Sequence, residues 1–282
     1  MTDGVDELMG KLGMKPCVNG ATTMPYTLEE DIAAAAQAGF EGLEIWWDKL
    51  VAYLDNHSTS DLKQLLENNS LIPVSICPLR IWPFRDSEPA RQEFHEAIQL
   101  APQIGCKLLA VCPDFQPARL SREEALAIHA KELADMARLA AENGIRLTIE
   151  PIGGHTLVSG PTEALQLIEM AGAPANAGIL MDTFHYFRSG VTDQEIQAIP
   201  LDKLDIIHVN DCEDGALNEL TDAHRLYPTL GVIPARQLSL LKDKGYDGYL
   251  SVEIFRPEYW EQPIAEIMGK AYATLGELIA SL

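Results

Sequence analysis

Alternation of apolar and polar positions marks a series of short β-strands along this chain, and apolar spacings of three and four residues mark helices between them. In Arg146-Leu147-Thr148-Ile149-Glu150-Pro151, Leu147 and Ile149 share one face while Thr148 and Glu150 share the other. The same split recurs in 42–47, where Leu43 and Ile45 oppose Glu44 and Trp46. Further strands are predicted at 14–18, 72–79, 107–112, 178–182, 205–210 and 249–255. Helix signals fall between them. Thr27 with Glu30 and Ser121 with Glu124 form capping boxes, the second opening a helix that runs to Glu142 and stops at Asn143-Gly144. Other helices are predicted at 60–68, 88–104 (ended by Gly105), 162–170, 193–199, 234–244 and 261–282. The stretch from Asp211 to Ile233 reads as a long loop, a feature more often functional than accidental inside a compact domain.

Eight strand–helix units in succession predict an α/β chain folded as a closed (β/α)8 TIM barrel, a single domain spanning residues 1–282. No GxGxxG or GxxxxGK[ST] follows a strand, so a phosphate-cradling nucleotide loop has no support. With 42 Asp+Glu against 21 Lys+Arg the formal charge is −21, which repels phosphate backbones and anionic lipid. Nucleic acid and membrane are therefore not expected partners. Five cysteines, an odd number without CxxC spacing, argue against a disulfide framework and fit a reducing cytoplasm. Residues 1–15 carry acids and no long apolar run, so no secretory signal is predicted there.

Glu150, Asp182, His208 and Glu253 each set one potential metal ligand among apolar neighbours near the end of a predicted strand, the fifth to the eighth. In a barrel those ends form the mouth where active sites lie. Inward carboxylates there would repel one another and lose their hydration unless a cation neutralised them, so the four are read as one divalent-metal site. The oxygen-rich set favours Mn²⁺ or Mg²⁺, with Co²⁺ and Zn²⁺ also compatible. Glu44 and Trp46 share the inward phase of the second strand and are candidates for the pocket wall, core filling being the alternative for Trp46. His155, in Gly153-Gly154-His155-Thr156, is a further candidate for reaching the pocket, and Trp82 and Phe84 follow the third strand as a candidate apolar lid.

Thr148-Ile149-Glu150-Pro151, Met181-Asp182-Thr183-Phe184-His185, Ile207-His208-Val209-Asn210-Asp211, Ser251-Val252-Glu253-Ile254 and Gly42-Leu43-Glu44-Ile45 together resemble the xylose isomerase-like TIM barrel superfamily of sugar isomerases and epimerases. The likeness covers nearly the whole chain. Ketose 3-epimerases carry a further glutamate just beyond the strand-five ligand, where this chain has Gly153-Gly154, so the inosose-isomerase branch fits better. The resemblance implies metal binding by Glu150, Asp182, His208 and Glu253. It also implies contact with substrate oxygens by His185 and by Arg225, which could instead pair with Asp222.

The activity to expect is metal-dependent isomerisation or epimerisation of a keto-sugar or keto-cyclitol through an enediolate. Glu150 and Glu253 would exchange the proton as acid and base. The same site could eliminate a β-hydroxyl as a dehydratase, or bind a sugar without catalysis. An endonuclease of this fold would need more histidine ligands and a basic groove. The resemblance leaves room for a homo-oligomer, although no apolar stripe shows where subunits would meet.

Overall fold

The strand signals resolve into a closed parallel barrel of eight strands: β1 (Lys15–Asn19), β2 (Gly42–Trp46), β3 (Ile72–Ile81), β4 (Leu108–Pro113), β5 (Arg146–Ile149), β6 (Ala177–Asp182), β7 (Leu204–Val209) and β8 (Tyr249–Val252). β1 pairs with both β2 and β8, which closes the ring. The computed structural model describes residues 13–85, 87–229 and 231–282. The segment before Gly13, where no secretory signal is predicted, and Leu230 of the long loop lie outside the described residues. No described helix is long and apolar enough to cross a membrane.

The two-residue period sorts side chains as the sequence predicts. Leu43, Ile45, Leu147 and Ile149 face the helical layer in one continuous core. Cys77, Ala110, Leu180 and Ile206, from four different strands, form a separate small cluster against which Trp46 packs. Glu44 and Thr148, of opposite phase to the helix-facing residues, are fully buried.

Both capping boxes form at Thr27 and Ser121. Gly105, with φ +83°, ends the predicted 88–104 helix after its last turn tightens to 3-10 geometry.

Three short helices depart from the predicted pattern. Residues Trp47–Leu54 turn helical directly after β2, burying Trp47, Leu50 and Tyr53 at three-residue intervals, where the pattern alone prolongs the strand by one residue. Thr183–Ser189 starts on Asp182 itself, whose Oδ1 accepts the His185 backbone N–H at 3.0 Å. Pro257–Trp260 is a separate turn before the last helix, Ile264–Ser281. The long loop also has internal order: Asp211 pairs with Leu226 and Cys212 with Arg225 as a small antiparallel ribbon. The buried Asp211 carboxylate gathers the Thr229 hydroxyl and the backbone N–H groups of Gly231, Val232 and Ile233, tying the end of the loop to its start.

Candidate metal centre

Each potential ligand stands at the mouth end of its strand: Glu150 just after β5, Asp182 closing β6, His208 near the end of β7, and Glu253 just after β8. Asp182 and His208 are register partners, so the pleat aims both the same way. One ligand atom from each of the four lies within 4.8 Å of every other, and all four residues are buried. From His208 Nδ1 the distances are 3.1 Å to Glu253 Oε2, 3.4 Å to Glu150 Oε1 and 3.6 Å to Asp182 Oδ2. Edges of about 3 to 3.5 Å are those of a polyhedron whose ligands stand about 2.1 Å from a shared cation. His208 Nδ1 is buried with three carboxylate oxygens as its near neighbours, a donor set that a shared cation would join. The residues present therefore fit a divalent ion.

Electrostatics support the same reading. Burial and the neighbouring Glu150 raise the Glu253 carboxyl against the pull of His208 and Arg225. Burial would raise Asp182 as well, but Arg225 overrides it and holds that carboxyl well below the ordinary range. Burial lowers the His208 imidazole, yet Glu253 and Glu44 outweigh it and hold a proton there well above the usual histidine range. The centre attracts positive charge strongly enough to protonate its own imidazole, and a divalent cation supplies that charge better.

Glu44 is not a pocket wall. It is fully buried, with Oε1 facing His208 Nε2 at 2.9 Å, Oε2 accepting from Ser75 Oγ at 2.6 Å, and Oε1 accepting from Asn19 Nδ2 at 3.3 Å. It stands behind His208, where an outer carboxylate orients a ligating imidazole. His155 also misses the pocket: its Nδ1 accepts the backbone N–H groups of Leu157 and Val158, and its ring stacks on Phe115 at 4.3 Å. Arg80 and Arg85 both stand over the Trp82 ring, at 4.9 and 4.4 Å, and Trp82 does not line the metal-side cavity.

Arg225 and His185 do line that cavity, which measures about 190 Å³ and is also walled by Trp46, Cys112, Glu150, Glu253 and Phe255. Arg225 is committed within the protein. Its Nη1 donates to Asp182 Oδ2 at 2.7 Å and to Glu253 Oε2 at 2.9 Å, and its Nη2 donates to Asp222 Oδ1 at 2.9 Å. The pairing with Asp222 is thus realised, and the guanidinium is 1% exposed. Nη2 also stands 3.1 Å from His185 Nε2. A guanidinium can only donate, so that nitrogen accepts and the His185 proton sits on Nδ1, which has no partner within the protein. Burial lowers the His185 pKa and keeps the ring neutral.

Sequence reasoning missed Cys112, whose thiol donates to Glu150 Oε2 at 3.5 Å. Its signal was present: it lies two residues beyond the inward Ala110, at the end of β4.

A comparison with protein families matches residues 32–274 to the xylose isomerase-like TIM barrel description. Inosose isomerase of Halalkalibacterium halodurans is 29% identical over 274 residues, covering 95% of this chain and 97% of that protein. A crystal structure of IOLI protein with a binding zinc atom superposes with a TM-score of 0.89 at 27% identity, covering 95% of this chain and 99% of the other. The 3-dehydroshikimate dehydratase of Pseudomonas aeruginosa is 27% identical over 248 residues, 84% of this chain but 37% of the dehydratase.

Proposed function

This chain belongs to the xylose isomerase-like TIM barrel family, and we propose that it is a divalent-metal-dependent isomerase of an uncharged keto-sugar or keto-cyclitol, in the manner of inosose isomerase. The observation that carries this reading is the convergence of Glu150, Asp182, His208 and Glu253 beside a cavity walled by two of them. A cation held there would stabilise negative charge developing on a substrate carbonyl oxygen. The oxygen-rich donors favour Mn²⁺, and the zinc named for the IOLI structure makes Zn²⁺ the first rival.

Glu150 and Glu253 come from strands three apart in the ring and approach the cavity from different sides. One carboxylate removes the proton beside the carbonyl and the other returns one, so that the acceptor carbon decides between carbonyl migration and epimerisation. His185 donates from Nδ1 to a substrate oxygen. Arg225 holds the carboxylates of Asp182 and Glu253 in place. Trp46 and Phe255, edge-to-face at 5.7 Å, form an apolar side for the ring. Five free cysteines are consistent with a reducing cytoplasm.

Charge separates this reading from the dehydratase. Arg225 is the one cation among the described cavity walls, and its donors are taken by Asp182, Asp222 and Glu253. A substrate carboxylate, such as that of 3-dehydroshikimate, would meet no unpaired cationic side chain there. The test is proton NMR in D₂O with Mn²⁺- or Zn²⁺-loaded protein, inososes, ketoses and 3-dehydroshikimate, repeated with Glu150→Gln and Glu253→Gln. Metal-dependent deuterium entry beside an uncharged substrate's carbonyl, lost in both variants, is the expected result. Turnover of 3-dehydroshikimate alone would replace the isomerase with the dehydratase.

A further inference from the structure

A second cleft, of about 400 Å³, opens on the same rim of the barrel, and Trp46 is a wall of both it and the metal-side cavity. It is bounded by the segment after β1 and by the helix Trp47–Leu54 after β2. Its volume lies in the range of ligand pockets and is about twice that of the metal-side cavity.

Its lining describes the ligand. Trp46 and Tyr26 offer aromatic surface, Tyr26 being fixed by donating its hydroxyl to the Gln262 carbonyl at 2.7 Å; Tyr53 lines the cleft from within the core, its ring stacked on His57 at 4.5 Å. Aromatic faces of this kind cover the C–H faces of sugar rings. Asp48 and Asn56 stand among them as hydroxyl-binding groups. Lys49 is not free for an anion: its ammonium donates to the carbonyls of Gly20 and Thr23 at 2.9 and 2.8 Å and to Asp31 at 2.6 Å. With Glu29 and Asp48 on the walls, phosphate or carboxylate would be repelled.

We propose that this cleft is a binding subsite for a second, uncharged sugar ring, so that the protein accepts a keto ring carrying a glycosyl substituent. The reacting ring occupies the metal side of Trp46 and the substituent the cleft. The position of the reacting ring rests on the proposed isomerase reading, whereas the subsite itself needs no metal.

That independence supplies the test. Methyl β-D-glucopyranoside has no carbonyl to engage the metal centre, so its binding to metal-stripped full-length protein reports on the cleft alone. Saturation-transfer NMR should show the glucoside bound, with Ala52→Trp, which fills the cleft, weakening binding at least tenfold and Asn56→Ala weakening it severalfold. Metal uptake by each variant reports an intact barrel; if Ala52→Trp fails that control, Asn56→Ala decides. No transfer to the glucoside in the wild-type protein, or transfer undiminished in the folded variants, overturns the proposal. Glucoside binding without deuterium exchange in any ketose would sink the isomerase reading and leave the subsite standing.

Discussion

Two buried charged clusters in this barrel are assembled on opposite terms. Around Lys49 the charges balance: one ammonium meets one carboxylate, Asp31, whose second oxygen accepts from Thr23 Oγ1 at 2.6 Å, and two backbone carbonyls take the remaining ammonium donors. At the mouth, the buried carboxylates of Glu44, Glu150, Asp182 and Glu253, with the half-exposed Asp222 beside them, face one guanidinium, the His208 imidazole and the neutral ring of His185. The first cluster is complete as it stands and pins the loop after β1 to the helix after β2. The second is short of positive charge, the imbalance expected of a site that takes up a cation.

Removing a charge should therefore act in opposite directions at the two places. The largest effect is on chemistry: Glu253→Gln should lower deuterium exchange by about a thousandfold, as for loss of an acid/base group. The same variant, stripped of metal, should unfold at a higher temperature than wild type at about pH 8, because burial and Glu150 raise this carboxyl to about 7 and above that pH its ionised form opposes folding. A metal-free Glu253→Gln that melts lower would break the contrast. Lys49→Met, in the balanced cluster, should cost about 3 kcal/mol in urea unfolding, and Lys49→Met with Asp31→Leu should recover most of that. If the double variant is as unstable as the single one, the pair is not the reason for the loss.

Smaller changes sharpen the comparison. Glu44→Gln should weaken metal binding by about 10- to 100-fold in calorimetric titration while leaving the four ligands in place. Unchanged affinity would make the contact with His208 incidental. Weakest is the pH effect of Asp31, whose carboxyl burial pushes up to about 7 against the pull of Lys49. The folded state then holds this proton more tightly than the unfolded chain, so stability from this group falls as pH rises from about 4 to 7. The melting advantage of wild type over Asp31→Asn should be smaller at pH 7.5 than at pH 4.5. An advantage that grows with pH would show that Lys49 outweighs burial.

The barrel and the convergence of the four candidate ligands were legible because both follow from short-range periodicity. A two-residue alternation decides which strand residues point inward, and the eight strands end at the mouth, so Glu150, Asp182, His208 and Glu253 had to converge once the ring closed. The same phase put Glu44 and Trp46 on the inward side, but phase does not give depth. Trp46, two residues further along β2, reaches the cavity, whereas Glu44 stops one layer below, behind His208. Nor does it show that Arg225 would be taken up by Asp182, Asp222 and Glu253.

What the sequence determined by itself was local: strand faces, capping boxes, breaks at glycine, and the excess of negative charge. What only the tertiary structure decided was pairing across long stretches of chain. Glu44 meets His208 and Arg225 meets Asp182 through closure of the barrel and folding of the 211–233 loop. Those partners are chosen by the distance between side chains in the folded ring, a quantity that no local period along the chain encodes.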